Sequence, residues 1–485
     1  MRRRLAYLIL VLLAVTAVLA WYAVWRPRVA QPRAAAANAN LVICVIDAAR
    51  PDHMGCYGYA RDTTPNIDRL ARDSLVFEQH FTQAAFTKGS TASLFTSQYP
   101  DTHLVFSNEG GRGIKESSFT MARGLGEAGF HTVFFSSDPW LDVKKGMGRD
   151  FREAYGLDDV TAITGERGQR FAPEPLLYLF GKWLGGSRPP RFFAYLHIMA
   201  PHVPYAQPEQ FTALFRGAQP PGYRPDKHHP GEYAVPIGHA CTAHPPLPEW
   251  LNLYDANMRY ADWAVGQVEA LLREAGLFRN TLLIVTSDHG EAFGEHGYVL
   301  HGASVYDETS HIPLVIRFPR RAPRGRIAAL TQTIDLLPTI LEIFGVRYPQ
   351  EGIQGRSLVP LIAGRVHQVN DYVFTRGQRD LANPADRDAC MTRSRSHALL
   401  LYANGKWRAL YDLKDDPEEQ HDVLAAQPAI AKSMLDVFRA FAMRQRRPPV
   451  YFLDPGAKPP PMPTTGERGM TPERKRELRA LGYLK

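Results

Sequence analysis

The sequence predicts an α/β fold, a sandwich built on a parallel sheet, followed by a small antiparallel α+β subdomain. Three observations carry this expectation. The runs LVICVID (41–47) and TLLIVTSD (281–288) are continuously apolar and each ends in an acid. A strand buried on both faces reads this way when it delivers a carboxylate to the carboxyl edge of a parallel sheet. Between such runs lie helical patterns, such as Tyr254, Met258, Ala261, Val265, Val268 and Leu272, whose spacing alternates four and three. After about residue 366 the pattern changes, and Asn404-Gly405 between two apolar runs signals a hairpin.

A chain of 485 residues holds one large domain and a smaller one without needing staples. The reading divides it into an N-terminal segment and linker (1–39), a catalytic α/β domain (40–365), a C-terminal subdomain (366–445) and a Pro-rich, charged tail (446–485). The formal charge is +8, but residues 1–33 contain six arginines and no acid, so the rest of the chain is close to neutral. That distribution argues against nucleic acid as a partner. Cys44, Cys56, Cys241 and Cys390 show neither disulfide-framework nor zinc-site spacing, and Cys44 reads as a small core residue.

Between Leu5 and Trp25 lie 21 uncharged, mostly apolar residues, enough to cross a bilayer core of about 30 Å as a helix. The run ends in Trp21, Tyr22 and Trp25 and has arginines on both sides. It predicts a transmembrane signal-anchor, with a cleaved signal peptide as the alternative because of Ala34–Ala37. Arg2–Arg4 favour a cytoplasmic N-terminus, so the catalytic domain is expected outside the cytoplasm, membrane-anchored or exported. Residues 26–39 read as a short tether.

Along the chain, a Gly- and Pro-containing loop follows the first strand and a helix opens near Pro65. The strand-like FEQHFTQA leads into TKGSTASLFTSQYP (87–100), where small residues would let a helix N-terminus approach an anion closely. Taken alone, Thr87 reads as an ordinary N-cap. MARGLGEAGFHTVFFSSDPWL is a helix followed by a strand that ends at Ser136–Asp138. RFFAYLHIMAPHVPY is a buried strand whose exit carries His197 and His202. Residues 206–250, rich in Pro, His and Gly, read as a surface excursion. SVYDETSHIPLVIRFP gives another strand, IDLLPTILEIFG a helix stopped by Gly345, and a helix from Pro428 is expected to pack on the hairpin.

Two acid-terminated strands, a hydroxyl at a helix start, the Asp288-His289 pair and further histidines make a plausible metal site. Carboxylates with imidazole suit Mn, Zn or Mg, and suit Ca less, since calcium sites are usually all oxygen. Such an ion would lower the pKa of the Thr87 hydroxyl and hold an esterified oxyanion for in-line attack.

The chain resembles the sulfatase branch of the alkaline phosphatase superfamily. The resemblance rests on LVICVIDAARPDHMGCYGY (41–59), TTPNIDRLA (63–71), TKGSTASLFTSQYP (87–100), LHIMAPHVPY (196–205), VTSDHGEAFGEHG (285–297), HGASVYDETSHIPLVI (301–316) and WRALYDLKDDPEEQHDV (407–423), in family order. It implies an alkaline phosphatase-like parallel-sheet sandwich with a small C-terminal antiparallel subdomain. It also implies that Asp47, Thr87, Asp288 and His289 are metal ligands, that Thr87 is the nucleophile, and that His202 and His301 hold or protonate the substrate ester. The departures are equally specific. Where sulfatases carry C/S-x-P-x-R, this chain has Thr87, Lys88, Gly89, Ser90 and Thr91, and threonine cannot mature to formylglycine. The family's second metal-binding Asp is Ala48, and its Gly-Lys-Trp-His stretch falls on Ser136, Ser137, Asp138 and Pro139.

With Ala200 where a further acid would stand, one divalent ion is expected. What remains is similar to the threonine-dependent phosphoethanolamine and phosphoglycerol transferases and nucleotide-type phosphodiesterases. Lys88 is a candidate for supplying the positive charge of the missing Arg. The expectation is a hydrolase or transferase of phosphate esters, without formylglycine, acting on a small-molecule, lipid or glycan ester. The alternatives are sulfate-ester hydrolysis without formylglycine and a non-catalytic envelope protein that keeps the fold.

Overall fold

The computed structural model describes Thr16 and residues 32–36, 38–108, 113–142, 146–166, 170–186, 189–205, 207–224, 247–320, 323–378, 389–402 and 408–447. The apolar run Leu5–Trp25, Cys241, the Asn404-Gly405 turn and nearly all of the 446–485 tail lie outside the described residues. Among the described residues, no helix is long and apolar enough to cross a membrane.

The large sheet is built from β1 (Asn40–Ile46), β2 (Leu75–Phe81), β3 (His131–Ser136), β4 (Glu153–Tyr155), β5 (Phe192–Ile198) and β6 (Thr281–Ser287). After the small hairpin of β7 (Ala292–Phe293) and β8 (Val299–Leu300), β9 (Leu314–Arg317) and β10 (Gly325–Gln332) complete it in the order β10-β2-β9-β6-β1-β5-β3-β4. All neighbours are parallel except at β9, which runs antiparallel to both β2 and β6. An apolar run announces a buried strand but not its direction, so the reversed β9 was not visible in the sequence. Nor was β10, whose first four residues have no fully buried side chain.

β1 is buried along its whole length, and its side chains alternate between two cores. Leu41, Ile43 and Val45 meet helices Thr87–Thr96, Met121–Glu127 and Leu336–Ile343, whereas Val42, Cys44 and Ile46 meet Pro65–Ala71, Glu174–Gly185 and Leu247–Glu274. The result is a three-layer sandwich, and it explains why these strands read as continuous apolar runs. The six residues predicted for the inner face of Leu247–Glu274 are all buried. Burial pushes the Cys44 thiol up to about 12, as expected of a core residue. Of residues 26–39, read from sequence as tether, helix Pro32–Ala36 is folded onto the domain: it buries Ala36, and Arg33 pairs with Glu342 at 3.0 Å.

The second sheet is antiparallel, ordered β11 (Val373–Arg376), β12 (Ala389–Arg393), β13 (His397–Tyr402) and β14 (Arg408–Asp412). One face receives helix Pro428–Ala442 through Met434, Phe438 and Phe441, and the Phe374 and Phe441 rings stack 3.8 Å apart. The other face receives Val305 and Tyr306 from the large domain.

The chain leaves β6 through Gly290, where space is the controlling constraint. A Cβ there would stand 2.1 Å from the Glu308 carbonyl oxygen, and the Gly290 amide donates to the Thr309 carbonyl at 3.0 Å. Gly290→Ala is expected to cost about 1–3 kcal/mol, as other overpacked sites do. Gly126→Ala, exposed on a helix with nothing near the new Cβ, is expected to add about 0.5–1 kcal/mol. Urea unfolding of the two variants checks the difference in sign.

Candidate active site

The register of two neighbouring strands creates the site. Ile46 of β1 pairs with Ser287 of β6, so Asp47 and Asp288, each one residue further on, arrive side by side at the carboxyl edge. Open parallel sheets place their ligands at that edge. Asp288 Oδ1 accepts from the amides of Ala48 at 3.2 Å and His289 at 2.9 Å. Ala48 makes this possible by turning into the left-handed region, φ 61°, at a cost of about 1–2 kcal/mol for a non-glycine residue. The Tyr254 hydroxyl donates to its carbonyl at 2.8 Å and holds the turn.

Thr87 opens helix Thr87–Thr96, but it is not the N-cap. That position belongs to Phe86, in extended geometry at φ −161° and ψ 147°. The cap expectation fails because the helix begins one residue earlier than a Thr cap requires, and the Thr87 side chain faces the site instead. The Lys88 amide is satisfied by Asn108 Oδ1 at 2.9 Å. Gly89 is required by the Phe86 ring, whose Cζ would lie 2.4 Å from a Cβ there. Thr87 Oγ1 lies 3.2 Å from His289 Nε2.

His289 Nδ1 donates to the Gly290 carbonyl at 2.9 Å, which leaves Nε2 with its lone pair. That nitrogen stands 3.4 Å from Asp288 Oδ2 and 3.6 Å from Asp47 Oδ1. Both of these oxygens are buried without a hydrogen-bond partner. A hydroxyl, an imidazole lone pair and two bare carboxylate oxygens therefore converge, which is costly unless a cation sits among them. The donor set, oxygen with one nitrogen, fits a hard or borderline divalent ion.

Electrostatics agree with this. Burial pushes Asp47 well above the usual carboxylate range, and Asp288, Asp138 and Glu291 push in the same direction. Burial also raises Asp288, but His289, His197 and the two amides outweigh it and hold this carboxyl below its ordinary value. Burial lowers His289 to about 4, so its ring is neutral at pH 7.

The structure thus brings together Asp47, Thr87, Asp288 and His289, and places His202 and His301 beside them. The His301 ring centroid is 4.1 Å from that of His289 and 5.0 Å from that of His202. Burial lowers His202 to about 3 and His301 to about 4. His301 Nδ1 meets Glu291 Oε1 at 3.0 Å, and burial raises this glutamic acid to about 7. Arg50 fixes the same loop by donating to the Glu291 carbonyl at 2.8 Å and Glu295 Oε1 at 2.7 Å.

Sequence reasoning left Glu291, His197 and Asp138 out of the site. Ligand-capable atoms of Asp47, His197 and Asp288 all lie within 4.8 Å of one another. His197 has both nitrogens engaged, however, Nε2 with Asp47 Oδ2 at 3.1 Å and Nδ1 with the Tyr195 hydroxyl at 3.0 Å. It therefore orients Asp47, while His289 offers the lone pair. The position of His197 at a strand exit was the available signal. Asp138 Oδ2 lies 4.0 Å from His197 Nε2, and Lys88 is buried at the helix start.

The family model described as Sulfatase matches residues 39–346, and one described as N-sulphoglucosamine sulphohydrolase, C-terminal, matches residues 294–441. The chain is 26% identical to the steryl-sulfatase of Rattus norvegicus over 423 residues, covering 69% of this chain and 72% of that one. It is 30% identical to the arylsulfatase K of Xenopus laevis over 270 residues, which span half of each chain. Among solved structures, the phosphonate monoester hydrolase of Agrobacterium radiobacter superposes with a TM-score of 0.71 at 22% identity, covering 84% of this chain and 96% of that one. That likeness is one of fold. On the breadth of the family match, the chain is an enzyme of the sulfatase family.

Proposed function

We propose that this chain is a metal-dependent hydrolase or transferase of phosphate esters in which Thr87 is the nucleophile. The observation that carries the reading is the Thr87 hydroxyl, 3.2 Å from the His289 lone pair and beside the unpartnered oxygens of Asp47 and Asp288. Asp47, Asp288, His289 and Thr87 would hold one divalent ion. Bound there, the ion would lower the pKa of the hydroxyl and offset the charge of the ester.

Thr87 Oγ1, having released its proton to solvent, forms the new bond to phosphorus as the bond to the leaving oxygen breaks, giving a phosphothreonine. Glu291, whose pKa burial raises to about 7, passes its proton to His301 Nδ1 as His301 Nε2 gives its own proton to the leaving oxygen, with His202 standing beside that ring. Glu291 keeps the His301 ring in place through Nδ1, so that its other nitrogen is presented to the ester. Water or an acceptor hydroxyl then releases the phosphoryl group from Thr87. Lys88 and the dipole of helix Thr87–Thr96 favour the anion.

The sulfatase names of the relatives favour a second reading, hydrolysis of sulfate esters by the same residues without formylglycine. We also infer that the catalytic domain works outside the cytoplasm, held to the membrane by the run Leu5–Trp25.

Thr87→Ala is expected to lower turnover at least about a thousandfold while Thr87→Ser keeps a large part of it. Because Thr87 caps nothing, both variants should unfold like the parent, and a phosphorylated Thr87 peptide should be found by mass spectrometry after substrate is added. Unchanged turnover in Thr87→Ala would remove Thr87 from the mechanism. Purified protein is expected to carry a divalent ion by elemental analysis, and Asp288→Asn to weaken its binding by about 10–100-fold. Purified chain assayed on phosphodiester, phosphomonoester and aryl sulfate should prefer a phosphate ester; a preference for the sulfate would install the second reading.

A further inference from the structure

The amino edge of the large sheet, at the opposite end of the strands from the site, carries a basic hollow. A cavity of about 700 Å³ is lined there by Arg69, Arg273, Arg279, Arg317, Arg320 and Arg324 against only Asp73 and Glu269. Glu269 is shared by Arg69 at 3.2 Å and Arg273 at 2.6 Å, and Asp73 pairs with Arg324 at 3.5 Å. Arg273 and Arg317 both lie 3.9 Å from the centroid of the Phe278 ring. Arg279 and Arg320 are exposed and meet no carboxylate at ion-pair distance among the described residues. An excess of four like charges around one hollow calls for an anionic partner. Planar guanidinium groups match the oxygens of phosphate in particular.

The course of the chain identifies that partner. Asn280, beside Arg279, donates from Nδ2 to the Asn38 carbonyl at 3.0 Å, and Ala36 and Ala39 are buried. The N-terminal arm therefore enters the domain at this same edge. Between Trp25, where the apolar run stops, and helix Pro32–Ala36 stand six residues. Fully extended, six residues reach at most roughly 20 Å. A bilayer that holds the run must then lie close to the arginines.

We propose that this arginine-lined edge docks on the anionic phospholipid headgroups of the membrane that holds the N-terminal run. The proposal rests on the membrane-anchored reading given above. Strand β6 separates the two functions, with Arg279 just before its first residue and Asp288 just after its last. The site is therefore lifted by a strand's length, roughly 25 Å, and opens away from the bilayer, toward esters that arrive through water.

The test uses the full chain reconstituted in phosphatidylcholine vesicles, with or without phosphatidylglycerol. Arginine modification by phenylglyoxal is read residue by residue with peptide mass spectrometry. Arg69, Arg279 and Arg320 are expected to react on the order of fivefold more slowly on the anionic vesicles, an effect erased by high salt, while Arg395 and Arg439 react equally on both. A double variant, Arg279→Glu with Arg320→Glu, is expected to lose the difference at Arg69 yet keep kcat/KM on a soluble ester. Equal reactivity on both vesicle types, with the chain still floating with them, overturns the docking surface and leaves the anchor standing. Failure to float with either overturns the anchor and the proposal together. Protection by soluble heparin but not by vesicles overturns the lipid assignment in favour of a polyanionic glycan.

Discussion

The register of β1 against β6 is the constraint on which the rest depends. Two parallel neighbours of equal length, paired from Asn40 with Thr281 to Ile46 with Ser287, must release their next residues at one place. Both residues are aspartates, and both are sealed from water by helices on the two faces of the sheet. His197 satisfies Asp47 Oδ2 and two amides satisfy Asp288 Oδ1, but Asp47 Oδ1 and Asp288 Oδ2 are left without a hydrogen bond. A domain of ordinary marginal stability tolerates such a cluster when a cation completes it or a proton neutralises one of the acids. The strained turn at Ala48, the capping amides on Asp288 and the clamp of His197 on Asp47 are the local consequences of keeping those two carboxylates in position.

The same physics explains how much the sequence disclosed. A strand buried on both faces must be apolar throughout, so β1 and β6 stood out, and with them the acids at their ends. Helix Leu247–Glu274 was legible because its inner face repeats at the helical period. The antiparallel direction of β9 was not legible, since direction is set by the connection and not by the strand. Thr87 taken alone reads as a cap, because a hydroxyl at a helix start looks alike in both roles until the residue before it is seen in extended geometry. His197 and Glu291 were passed over for a different reason. Each acts on a residue far away in sequence, Asp47 and His301, and a single chain read in order carries no mark of that pairing.

What sets this member apart is the set of residues that stand where other family members have different ones. On the proposed reading, threonine at 87 would remove the route to formylglycine but leave an oxygen nucleophile at the start of a helix, where the dipole favours an anion. Alanine at 48, where the resemblance would place a second acid, would lower the negative charge around a bound ion. The imidazole of His289, neutral at pH 7, would add a ligand without adding charge.

The smaller sheet does more than fill out the fold, because it braces the loop that brings His301 to the site. Tyr306 and Tyr411 share a hydroxyl contact of 3.0 Å, and the buried Arg393 pairs with Glu419 at 2.6 Å and with Asp307 at 3.2 Å. Glu419 also accepts from the Asp307 amide at 3.0 Å. A buried pair of this kind adds little net stability, but losing one partner leaves the other charge stranded. The C-terminal subdomain therefore cannot separate from the large domain without exposing or stranding these groups. Since Asp307 and Glu308 belong to the segment packed against Gly290, that separation would also disturb the His289 carbonyl clamp. The placement of His289 and His301 is thus a property of both sheets together, which would give the second sheet a part in the proposed chemistry.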